Sequence, residues 1–144
     1  MQRVRLDHEH RLVLRTWRGS VDAAQVAQSI REVTLAARPD IVYRDVNHFN
    51  GSIASITAAD MKDLREEIAR LRVDERLRRS HLALVAEVPH DEPLLKLWVH
   101  LRDYEAAGIA ARTMTSLEAA AEWLEIDPDW LRETIAEMEK PDRL

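Results

Sequence analysis

Residues 81–88 read "HLALVAEV", and the reading of this run decides the fold. A strand with one face in water alternates apolar and polar side chains, whereas this run is apolar almost throughout. Such a strand lies in the middle of a sheet and is covered on both faces, the arrangement found where parallel strands are joined by helices. The chain should therefore hold helical segments between further strands, and it does.

Upstream, "DIVYRDV" (40–46) is a short apolar strand, and downstream "IAARTM" (109–114) reads as an edge strand. The chain opens with "QRVRL" (2–6), a polar turn "DHEH" (7–10) and "RLVLRTW" (11–17), which predict an antiparallel hairpin. Between these lie segments of helical period. Val26, Ile30, Val33 and Ala37 share one face, and Pro39 ends that helix. Thr57 and Asp60 have capping-box spacing ahead of Met61, Leu64, Ile68 and Leu71. Pro93 suits a first helical turn; Leu94, Leu97, Trp98, Leu101 and Tyr104 or Glu105 then trace an inward face, with Gly108 as the left-handed C-cap. Thr115 and Glu118 suggest another capping box, opening a helix with Leu117, Ala120, Ala121 and Leu124 inward. Asp127-Pro128 starts a last helix whose stripe is Leu131, Ile135 and Met138. That stripe must be covered, either by the same domain or by a second subunit. The expected fold is thus α/β: a mixed, mostly parallel sheet of about five strands flanked by helices.

Several phrases, in this order and spacing, resemble the SpoIIAA-like (STAS-like) α/β domain family and its uncharacterised bacterial branch. They are "EHRLVLRTWRGSV" (9–21), "IVYRDVNHF" with "ITAADMKDL" in the middle, and "LALVAEV", "LWVHLRDYEAAGI" and "TSLEAAAEWL" later. The resemblance implies a STAS-like domain over residues 1–125 with a helical extension over 126–144. It also implies a noncatalytic module acting through protein–protein contacts in a regulatory or interaction role. STAS domains that antagonise anti-sigma factors carry a phosphorylated serine in an Asp-Ser-Ser-Gly-like phrase. Here the corresponding loop reads "NGSIAS" (50–55), without the aspartate, so no phosphorylation is expected.

Composition narrows the function classes. With 21 Lys and Arg against 26 Asp and Glu, the formal charge is −5, the wrong sign for nonspecific nucleic-acid binding. No cysteine is present, which excludes disulfides, thiolate metal sites and cysteine nucleophiles. The "MQRVRLDHEHR" start has no apolar core of a secretory signal, and no apolar run nears the roughly 20 residues of a membrane span. A cytoplasmic protein is expected. No GxGxxG, P-loop, GxSxG or HExxH phrase occurs, so catalysis has no support in the sequence.

The candidate site is the stretch "NHFNGSIAS" (47–55) together with the end of the 81–88 strand. If 40–46 and 81–88 are parallel neighbours, Asn47, His48, Asn50, Ser52, Glu87 and His90 fall at the same carboxyl edge, where α/β proteins bind ligands. The alternative function is accordingly a small-molecule or lipid-like ligand binder using a crevice there. The plainer reading is a connection in which Gly51 turns the chain and Ser55 or Thr57 caps the next helix. His48, His90, Glu87 and Asp91 do not make a metal set by spacing, so neither metal nor cofactor is expected. A protein partner or homodimer and a small apolar ligand are the partners the sequence suggests. Trp17 and Trp130 stand off the clear stripes and are candidates for exposed contact residues.

Overall fold

The computed structural model describes residues 2–88 and 91–141. The chain runs β1 (Gln2–Asp7), β2 (Leu12–Arg18), α1 (Ala23–Ala36), β3 (Tyr43–Asn50), α2 (Ala58–Leu71), a single turn α3 (Val73–Arg76) and β4 (Arg79–Ala86). It continues through α4 (Glu92–Arg102), a 3-10 turn (Tyr104–Ala107), β5 (Ala110–Met114), α5 (Leu117–Leu124) and α6 (Pro128–Glu139). The five strands lie in sequence order; β1 is antiparallel to β2, and all other neighbours are parallel. This is the mixed α/β sheet that the apolar run at 81–88 implies.

Strand order explains the layers. When each parallel strand adds beside the previous one through crossovers of one hand, all the crossover helices fall on one face. Accordingly α1, α2, α3 and α4 pack against Val13, Trp17, Tyr43, Phe49, Leu82 and Leu84. The opposite face, Leu12, Leu14, Val46, Ala83 and Val85, is covered by α5 and α6. Strand β4 thus alternates between two cores, Leu82 and Leu84 to one side and Ala83 and Val85 to the other, and has no wet face. Leu131, Ile135 and Met138 of α6 close the second core, so their stripe is covered by the chain's own sheet.

Several local expectations are corrected. Strand β3 begins at Tyr43 and runs to Asn50, beyond the expected 40–46, because its pairing with β2 extends from Leu12↔Arg44 to Arg18↔Asn50. Helix α4 buries Leu95, with Leu94, Trp98 and Val99 packed beside it; Leu97 is 41% exposed and does not face inward. Leucines at 94, 95, 97 and 101 put apolar groups on most sides of this helix, so period alone could not select the face. It ends at Asp103 (φ +50°), and Gly108 (φ +76°) closes the following 3-10 turn instead. Ser116, not Thr115, caps α5 by accepting from the Ala119 N–H, while Glu118 is engaged by Arg132. The capping box at Thr57 and Asp60 forms as read. Trp17 is buried and stacks on Phe49 at 5.7 Å, and Trp130 lies partly buried beside His10 at 4.9 Å, so Trp17 offers no exposed contact surface.

Candidate functional site

The "NHFNGSIAS" stretch divides where β3 ends. Its first four residues are strand, so their side chains alternate between the faces of the sheet. Asn47 and Phe49 point to the crossover-helix face, whereas His48 lies on the face covered by α6. Asn50 is exposed at the strand end. From there the chain is tied to the loop after β2: Val21 N–H donates to the Ser52 carbonyl at 2.9 Å and Ser55 Oγ donates to the Val21 carbonyl at 3.0 Å. Gly51 sits against Gly19 so closely that a Cβ there would lie 2.1 Å from the Gly19 carbonyl oxygen. Exposed Ser52 accepts from the Ala54 N–H through Oγ. Ile53 N–H donates to the buried Asp91 carboxylate at 3.2 Å. Asn47 and His48 thus face opposite sides of the sheet, so the candidates among the described residues do not line one crevice; His90 lies outside the described residues.

Two of them do meet. His48 Nε2 is 3.0 Å from Glu87 Oε1, and its Nδ1 is 3.3 Å from Glu139 Oε1, though without the alignment of a hydrogen bond. Glu139 also accepts from Thr16 Oγ1 at 2.6 Å. This imidazole, held between two carboxylates and 5% exposed, fastens the last turn of α6 to β2 and β3. Sequence reading missed Glu139, which lies 91 positions from His48 and carries no local mark.

On the other face the sheet and helices α1, α2 and α4 enclose a cavity of about 90 Å³. Its wall is mostly apolar: Ile30, Leu64, Leu84 and Leu95 among others, with Val26, Ile56, Leu94 and Trp98 reaching towards solvent. Its polar groups include Arg15, Ser29, Thr34, Asn47, Arg79 and Tyr104. Arg15 is 7% exposed, yet each of its contacts is long: Nη1 to Asn47 Oδ1 at 3.4 Å and Nη2 to Asp45 Oδ2 at 3.4 Å. Its Nε, and the hydroxyl of wholly buried Ser29, have no protein partner. Asn47 Oδ1 also accepts from Trp17 Nε1 at 3.4 Å, and Asn47 Nδ2 donates to Asp45 at 3.0 Å.

Arg15 is one end of a buried ionic chain. Asp45, fully buried, lies 3.4 Å from both Arg15 and Arg79; Arg79 is 3.1 Å from Asp74, which in turn is 3.2 Å from Arg102. The Arg102 and Arg79 guanidiniums sit over the Tyr104 ring at 4.7 and 5.7 Å, and Trp98 Nε1 donates to the Tyr104 hydroxyl at 2.8 Å. The two cations differ in compensation. Burial pulls the Arg15 pKa below its ordinary value, and Asp45 does not make up the loss. Burial also acts on Arg79, but Asp45, Tyr104 and Asp74 together more than offset it and leave the pKa raised.

None of Arg15, Asp45, Ser29 or Arg79 was among the sequence's candidates. The available signal was the period-2 alternation, which places Arg15 on the same strand face as Val13 and Trp17, and Asp45 with Tyr43 and Asn47. Charges on a strand face otherwise apolar are buried charges, and those call for a reason. No family model, curated protein or solved structure matches this chain.

Proposed function

We propose that this protein is a noncatalytic, SpoIIAA-like (STAS-like) module that holds a small, largely apolar molecule in the cavity beneath α1, α2 and α4. The cavity carries the reading. Protein cores are packed to crystal density with few voids larger than a water molecule. A space of about 90 Å³ lined mostly by apolar side chains is better filled by an apolar ligand than by water, because burying apolar surface is favourable at roughly 25 cal/mol per Å². The binding place moves from the strand-end crevice of the sequence reading to the interior of one face. The acid–base pair His48–Glu87 lies on the other face, and the charged groups lining the cavity are guanidiniums, which do not exchange protons at ordinary pH. Holding, rather than turnover, suits that lining.

The α6 stripe was the strongest argument for a second subunit, and burial within the chain's own core removes it. Trp17 and Trp98 line the cavity, so occupancy can be read from tryptophan emission. Titration with hexan-1-ol, cyclohexanol and hexanoate should give a saturable change for at least one compound, lost in Trp17→Phe/Trp98→Phe. The same compound should raise the melting temperature, since a ligand at 100 times its Kd stabilises by about 2.7 kcal/mol. Val26→Phe, which fills the cavity from α1, should weaken binding. If no apolar compound, neutral or charged, shifts either signal at millimolar concentration, the ligand-holding function is wrong.

A further inference from the structure

The cavity's polar end specifies more than an apolar occupant. Three guanidiniums (Arg15, Arg79 and Arg102) face two carboxylates (Asp45 and Asp74), so among the described residues this buried chain of ion pairs carries one surplus positive charge. Arg15 is where the surplus resides. Arg79 stands between two carboxylates and Arg102 has the partly buried Asp74, whereas Arg15 shares Asp45 with Arg79. Both of its polar contacts, at 3.4 Å, exceed the 2.7–2.9 Å usual for charge-assisted bonds. Arg15 Nε and Ser29 Oγ, both lining the cavity, are buried donors without a protein acceptor, as is Arg79 Nε, whose guanidinium is otherwise paired with both Asp45 and Asp74.

Resting on the ligand-holding function proposed above, we infer that the occupant is an amphipathic monocarboxylate whose carboxylate is bound by Arg15 with the help of Ser29. A single negative charge cancels the surplus, and the planar guanidinium edge matches a carboxylate's two oxygens. A phosphate monoester carries about −1.5 to −2 charge at neutral pH and would overshoot. An amine would add to the surplus. The lowered pKa of Arg15 agrees with a cation short of counter-charge. The cavity of about 90 Å³ takes the head group and the first carbons, with Leu94 and Trp98 marking the way out for the remainder.

The test compares four ligands of one chain length, hexanoate, hexan-1-ol, hexylamine and hexyl phosphate, by calorimetry on the full chain. Hexanoate should bind at least about tenfold more tightly than hexan-1-ol, the range expected of a hydrogen-bonded charge. Arg15→Met should bring the two within about twofold while hexan-1-ol keeps its wild-type affinity, and Arg15→Lys should fall between. Equal binding of acid and alcohol overturns this inference and leaves the ligand-holding function standing. So does tighter binding of the phosphate or the amine, or a preference that survives Arg15→Met. Binding of none of the four overturns this inference, and overturns the ligand-holding function as well if cyclohexanol also fails to bind. Should Arg15→Met not fold, the head-group comparison in the unchanged protein still decides.

Discussion

Removing the Ser29 hydroxyl should stabilise the unliganded protein, although core truncations normally do the reverse. Ser29 is fully buried in α1, its Oγ has no protein partner, and it lines the cavity. A buried hydroxyl without a hydrogen bond costs about 1–3 kcal/mol by protein mutational data. Alanine also has the better helix propensity, by up to about 0.7 kcal/mol. Against these stands the loss of a few van der Waals contacts of one oxygen, at about 0.1–0.2 kcal/mol each. The net expectation for Ser29→Ala is a gain of about 1–2 kcal/mol. For 144 residues, an unfolding entropy of about 2.1 cal/mol/K per residue gives roughly 0.3 kcal/mol per degree, so the melting temperature should rise by about 3–6 °C. Thr34, one turn further on and lining the same cavity, is the control, because its hydroxyl donates to the Ile30 carbonyl at 2.6 Å. Thr34→Val discards a made bond and should lose about 1 kcal/mol. Calorimetry and urea unfolding of the two variants read the difference. A fall in melting temperature for Ser29→Ala would refute the reasoning, since the hydroxyl would then be bonded and the cavity's polar wall misassigned.

The remaining predictions concern the frame around the cavity. Gly51→Ala drives a Cβ into the Gly19 backbone and should cost about 3 kcal/mol or more by urea unfolding, because two backbone segments must part. Leu131→Ala, at a wholly buried position, should cost about 2–5 kcal/mol, whereas Leu97→Ala, at an exposed one, should stay within about 0.5 kcal/mol; equal losses would mean the faces of α4 and α6 are misplaced. Glu139→Ala removes the acceptor of Thr16 and a neighbour of His48, and amide exchange in the last turn of α6 should quicken while β3 and β4 stay protected. The hydrogen bond from Arg132 holds the Glu118 carboxyl below its ordinary pKa of 4.5. A carboxylate depressed by folding adds stability above its unfolded pKa and loses it as pH falls through the folded value. Arg132→Gln should therefore raise the Glu118 midpoint in an NMR titration, and an unmoved midpoint would show the pair to be idle.

What was legible in the sequence was written in periods and punctuation. The apolar run at 81–88, the stripes of α1, α2, α5 and α6, and the Thr57–Asp60 cap are local statements, and each element formed from them. Boundaries set by pairing were not legible: β3 reaches Asn50 because β2 continues beside it to Arg18, and no residue in 47–50 announces that. The four extra strand residues undid the expected crevice, since period-2 alternation sends Asn47 and His48 to opposite faces.

Sequence alone thus determined that this chain builds a helix-covered, mostly parallel sheet, because side-chain periodicity follows from backbone geometry residue by residue. Only the tertiary structure decided which faces meet. Strands added in order put every crossover helix on one side, which left the other side to α5 and α6 and drew Glu139 to His48. The same packing shut Arg15, Asp45 and Arg79 inside with one charge over and a space beside it. Residues 15, 45, 79 and 102 are distant in the chain, and their charge balance exists only once the sheet and α4 have brought them together.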